Sequence, residues 1–92
     1  MSTIADLEAA SNAASEAHAA AALRLSTLHK LIKALEHLED IDMLTAADEA
    51  DIANLRARSD VRRPLLVAEV DRLEDASLAA QRALNDAPEE AA

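Results

Sequence analysis

The chain has 92 residues and a formal net charge of −9, and it contains no glycine, cysteine or aromatic residue. Half of its residues are hydrophobic, but 24 of these are alanine, so few large side chains remain to form a core. The composition excludes disulfides and thiolate metal sites, and it predicts helix almost throughout. Because so small a core is marginal for a lone chain, we expect a homo-oligomer, with a homodimer as the simplest case.

The first predicted helix runs from about residue 3 to residue 40. Thr3 followed by Asp6 is a capping-box-like pattern, which favours a helix start at this point. From there an apolar or small residue recurs at alternating spacings of three and four, which is typical of a helix that packs along one stripe. We call this series the seam of the first helix and expect it to form the oligomer seam: Ile4, Leu7, Ser11, Ala14, His18, Ala21, Leu25, Leu28, Ile32 and Leu35.

The apolar stripe of this helix changes width along its length. It is narrow and made mainly of alanine and serine near the N-terminus, and from Leu25 onward it also includes Leu31 and Leu38. A stripe this broad indicates contact with two neighbouring helices rather than one.

Residues 41–45 form a short apolar connection, after which Thr45 and Asp48 repeat the capping pattern. A second helix is predicted over residues 46–58. The stretch RARSDVRRP breaks or kinks it, because Pro64 disfavours helical geometry at the residue before it. A third helix over residues 64–86 continues the three-and-four spacing, with the seam residues Leu66, Val70 and Leu73.

The predicted fold is all-α, a long antiparallel helical hairpin with a kinked second arm that dimerises into a four-helix bundle. The alternative is a three-helix bundle. With the turn near residue 43, facing residues have numbers that add to about 86, which sets His18 opposite Ala68. Residues 1–86 are expected to form a single domain, and residues 87–92 a frayed acidic C-terminal tail.

The charge is unevenly placed along the chain. Residues 36–55 hold seven acids and no lysine or arginine, whereas residues 56–63 hold four arginines and one acid. Such a distribution can attract a basic partner or repel nucleic acid. We expect a partner to dock on this acidic segment through carboxylates and neighbouring apolar side chains: Asp40, Asp42, Asp48, Asp51, Leu38, Ile41 and Met43.

Metal sites receive weak support from the sequence. Asp40, Asp42, Asp48 and Asp51 occupy calcium-loop positions, but threonine stands where the loop needs glycine. The Glu-x-x-His motif of a di-iron bundle is absent. We therefore expect no metal site, and the residues that remain as weak candidates for an adventitious one are His29, Glu36, His37 and Asp40.

His18 differs from the other histidines because it lies in the seam. In a symmetric bundle it would meet its own copy and make association pH-sensitive, whereas the simpler interpretation is a histidine bonded to a neighbouring Glu or Arg. The four arginines are a weak nucleic-acid footprint, and pairing with the acidic segment is the simpler role for them.

The sequence contains no catalytic motif and no cofactor-binding motif, so we expect no enzymatic activity and no cofactor. The opening MSTIADLEAA lacks a basic stretch, and no uncharged run reaches the roughly 18–20 apolar residues of a membrane span, so we expect a soluble, cytoplasmic protein.

The leading functional hypothesis is a small acidic helical protein-interaction module that acts as a homo-oligomer: an adaptor, an assembly component or a chaperone-like factor. One alternative is a metal- or ligand-responsive helical bundle that uses its histidines and carboxylates. Another is a nucleic-acid-related regulator or an acidic mimic of a phosphate backbone.

Overall fold

The computed structural model describes residues 3–87 as two long antiparallel helices, α1 (Ile4–Glu39) and α2 (Ala46–Asn85). They form a rod with extents of 70 × 16 × 14 Å. This confirms the predicted all-α antiparallel hairpin, and the three-helix alternative is wrong. Most of the predicted C-terminal tail, residues 88–92, lies outside the described residues.

Both helices begin with the capping box that the sequence predicts. The Thr3 hydroxyl accepts a hydrogen bond from the Asp6 N–H at 3.1 Å, and the Asp6 carboxylate accepts one from the Thr3 N–H at 3.2 Å. Thr45 and Asp48 repeat the arrangement at the same distances. Each box satisfies two backbone donors that a helix start would otherwise leave unpaired.

The seam residues of α1 lie on the face that contacts α2 of the same chain. All ten of them are buried or half-buried, and the fully buried end of the series is formed by Leu28, Ile32 and Leu35. On α2 the predicted seam residues Leu66 and Val70 are half-buried, as is Leu73. The three-and-four spacing therefore identifies the side chains that join the two arms of one hairpin.

Small side chains also occupy this interface. Ala21 is completely buried, and Ser11 and Ser59 are the buried polar residues among those described. Short side chains at these points let the helix backbones approach closely, and none of the buried side-chain polar atoms in the described range lacks a hydrogen-bond partner. The space between the two helices at these positions is therefore small, with little room for larger side chains.

Leucine at position 21 is expected to overpack this interface. Ala21→Leu should lower the free energy of unfolding by about 1–3 kcal/mol, because three added heavy atoms must displace packed neighbours. Ala19→Leu is the matched control, since Ala19 is exposed two residues away on the same helix. Urea titrations followed by circular dichroism measure both; equal stability of the two variants would mean that position 21 has spare volume.

The predicted break near residues 59–63 is wrong, because α2 is helical from Ala46 to Asn85 with Pro64 inside it. Proline lacks the N–H that would bond the carbonyl four residues earlier, that of Asp60. The helix continues because seam residues on both sides of the proline, Ser59 and Leu66, pack on α1 in the same phase. Packing overrides the local preference here.

The register of the hairpin also differs from the prediction. Ser15 Oγ lies 3.2 Å from Ser77 Oγ. The Nη2 atom of Arg24 lies 3.8 Å from Oε1 of Glu69. In both pairs the residue numbers add to 92 or 93 rather than 86. His18 is therefore level with about residue 74 of α2.

The connection explains this shift. Residues 40–45 do not fold straight back but continue along the rod, so the first two turns of α2 lie beyond the end of α1. Within the connection Met43 has a positive φ of 72°, a left-handed conformation that is uncommon for a residue with a side chain. Its side chain is 98% exposed, so no packing of the side chain accounts for this conformation.

Candidate functional site

The predicted docking residues lie together at one end of the rod, which we call the loop end and define as residues 36–55. Leu38 and Ile41 are exposed at 39% and 46%, and Met43 projects almost entirely into solvent. Leu55 of α2 is also exposed, and the register places it level with Leu38. Large exposed apolar side chains gathered at one place are typical of an interaction surface.

Sequence reasoning missed three apolar members of this surface, which are Leu44, Ile52 and Leu55. Leu44 and Ile52 line an open cleft of about 290 Å³ together with Ile41, Glu39 and Glu49. Ile52 was detectable, because it lies seven residues before the seam position occupied by Ser59. Leu44 was not, because its position depends on the path of the connection.

The acids of the loop end have different surroundings. Asp48 belongs to the capping box, so its carboxylate already accepts a hydrogen bond from Thr45. Glu36 and Glu39 pair with an arginine of α2. Asp40, Asp42 and Asp51 are exposed. These three are therefore the predicted docking acids that can be replaced without disturbing a contact described here.

Arg56 joins the two helices behind the loop end. One of its guanidinium nitrogens lies 3.3 Å from Glu36 Oε1, and another lies 3.8 Å from Glu39 Oε1. Its Nε donates a hydrogen bond to Asp60 at 3.2 Å. That hydrogen bond raises the pKa of the Arg56 guanidinium, and the charges of the three carboxylates act in the same direction.

Of the four clustered arginines, Arg56 pairs with the acidic segment as the sequence suggests. Arg58, Arg62 and Arg63 are exposed on α2. Arg58 and Arg62 are four residues apart on one face of α2 and line the same open cleft. Arg63 lies about 100° further around the helix than Arg62.

The weak metal candidates are not brought together as a site. Within residues 3–87, no three histidine, aspartate or glutamate side chains lie close enough to hold a metal ion. Glu36 is paired with Arg56. His29 and His37 are exposed on α1, eight residues apart.

His18 is half-buried between α1 and α2 of one chain. Its position in the seam means that it faces α2 of the same chain. The ion pairs found among residues 3–87 do not include it. The pH-sensitive contact between two copies that the sequence suggests stays a prediction.

No protein-family model, curated protein or solved structure matches the chain. Over residues 3–87, neither helix contains a stretch that is both long enough and apolar enough to cross a lipid bilayer.

Proposed function

We propose that the protein is a non-enzymatic interaction module that acts as a homo-oligomer and binds a basic, partly apolar partner at the loop end. The observation that carries the proposal is the exposure of Ile41 and Met43 beside the carboxylates of Asp40 and Asp42. A basic amphipathic helix offers the complementary chemistry, with an apolar stripe bordered by lysine or arginine.

Two contributions to binding, apolar burial and charge, favour this kind of partner. Burying exposed side chains of this size contributes about 25 cal/mol per Å² of apolar surface removed from water. The excess of carboxylates at one end of the rod accelerates encounter with a cationic partner and disfavours an anionic one. The apolar term supplies affinity, and the charge term supplies selectivity.

The test uses a cationic amphipathic helical peptide of leucine and lysine as the probe, with binding measured by fluorescence anisotropy at physiological salt. The triple variant Asp40→Asn, Asp42→Asn, Asp51→Asn is expected to weaken binding at least tenfold. Asp48 is left unchanged because its carboxylate accepts a hydrogen bond from the Thr45 N–H in the capping box of α2.

The matched control is the triple variant Asp71→Asn, Glu74→Gln, Asp75→Asn, which removes the same charge from an exposed part of α2 far from the loop end. Its Kd is expected to stay within twofold of the unmodified protein. Equal losses of peptide affinity in the two triple variants would mean that only net charge matters, and would overturn the proposed site. A peptide that does not bind the unmodified protein would overturn it as well.

A further inference from the structure

A second apolar stripe runs along α1 outside the hairpin interface. Each of its members up to Ala34 directly precedes a seam residue, and Leu38 continues the same spacing, so the stripe lies about 100° around the helix from the seam. All of its members are exposed in the hairpin, and only one of them is charged. We call it the outer stripe, and its nine positions extend from Ala10 to Leu38.

The two halves of the outer stripe differ in size. The N-terminal half is made of alanine, namely Ala10, Ala13, Ala17 and Ala20. The C-terminal half carries Leu31 and Leu38, both more than a third exposed, with Ala34 between them. Arg24 and Thr27 lie at the centre of the stripe.

From this pattern we infer that the outer stripe binds the same stripe of a second copy in antiparallel orientation. In the antiparallel register whose facing residue numbers add to 51, Leu38 of each copy lies over Ala13 of the other. The same register sets Leu31 over Ala20. Large side chains then face small ones along the contact, which is how packed helices reach native density.

Charge favours the antiparallel orientation. A parallel pair would place two loop ends side by side, each with seven acids and no lysine or arginine over residues 36–55. The antiparallel pair separates them to opposite ends of the assembly.

The central Arg24 is compatible with this contact. Its guanidinium pairs with Glu69 of its own α2, which offsets the charge of the two arginines near the two-fold axis. Because the outer stripe lies at nearly a right angle to the seam, α1 of a second copy can occupy it while α2 stays in place. The result is a four-helix arrangement with the two α1 helices in contact.

This inference rests on the homo-oligomer part of the proposed function, and it adds the face, the orientation and the register. The first test is the mass in solution of Ala20→Glu, measured by light scattering and sedimentation. Ala19→Glu is the matched control, because it adds the same charge one residue away at an exposed position outside the stripe. Ala20→Glu is expected to raise the dimer dissociation constant at least tenfold, and Ala19→Glu less than twofold.

The second test uses cysteines in a chain that has none. Ala17 of one copy faces Ala34 of the other in the proposed register. A mixture of Ala17→Cys and Ala34→Cys proteins is therefore expected to oxidise to a mixed disulfide. Each variant alone should stay uncrosslinked, because its two cysteines lie about 25 Å apart along the rod.

Several results would overturn the inference. A strictly monomeric protein at tens of micromolar would remove both the outer-stripe contact and the homo-oligomer. Crosslinking of Ala17→Cys with itself would indicate a parallel pair. Equal dimer dissociation constants for the Ala19→Glu and Ala20→Glu variants would place the contact elsewhere. Neither result would contradict the homo-oligomer itself. The Kd of Ala20→Glu for the peptide is measured independently of its dimer dissociation constant. Failure of the loop-end proposal is therefore distinguishable from failure of the outer-stripe proposal.

Discussion

Leu28→Ala is expected to lower the free energy of unfolding by about 2–5 kcal/mol, the range for leucine deletions in packed cores. Leu28 is only 2% exposed and lies among the few large side chains buried between α1 and α2. Small domains have total stabilities of about 5–15 kcal/mol. Because this hairpin buries so few large residues, the variant is expected to be partly unfolded at 37 °C.

Urea titration at fixed protein concentration measures this change, because association shifts the apparent stability of an oligomer. Leu65→Ala is the control, since Leu65 is 67% exposed on α2 and loses little burial on truncation. Its effect is expected to stay within about 0.5 kcal/mol. Similar losses in the two variants would contradict the assigned hairpin interface.

Pro64→Ala is expected to raise the free energy of unfolding by up to about 3 kcal/mol, the difference between proline and alanine in a helix interior. The substitution restores a backbone N–H that can bond the Asp60 carbonyl. Pro64 is exposed within α2, so its side chain contributes little packing that alanine would lose.

Ala57→Pro serves as the inverse comparison, because Ala57 is also an exposed position inside α2. It is expected to destabilise the protein by about 3 kcal/mol. Thermal and urea unfolding measure both variants. A loss of stability in Pro64→Ala would mean that the proline holds α2 in a shape that the hairpin requires.

Much of the fold could be predicted from the sequence, because local rules and the packing pattern agree over most of the chain. Thr3 and Thr45 begin helices where side-chain capping predicts. The seam of α1 could be predicted because residues spaced alternately by three and four lie on one face of a helix, and that face packs against α2. Large residues at both ends of that series keep the same phase, which fixes the buried face.

The continuity of α2 was predicted wrongly because a local rule was given more weight than the spacing around it. The buried or half-buried residues Ile52, Ser59 and Leu66 recur at intervals of seven on both sides of the predicted break, whereas a true break commonly shifts the phase. The register could not be derived from the sequence, because it depends on how far residues 40–45 advance along the rod. The position of Leu44 could not be derived from the sequence either, because it depends on the backbone path of the connection.

The candidate site was predicted in part. The acidic segment and its apolar residues are identifiable by reading along the chain, and they do lie together at the loop end. The capping role of Asp48 is local and is predicted by the sequence, whereas the pairing of Glu36 and Glu39 with Arg56 depends on cross-helix contacts. Contacts of that kind follow from the register, which the sequence does not specify.

The elongated shape of the hairpin affects how its size must be measured. The radius of gyration is 20.4 Å, whereas a compact chain of this length would have about 12 Å. A single copy of 9.8 kDa will therefore diffuse slowly and elute early from a gel-filtration column calibrated with globular proteins. On such a column a monomer imitates a dimer, so elution volume alone overstates the number of subunits.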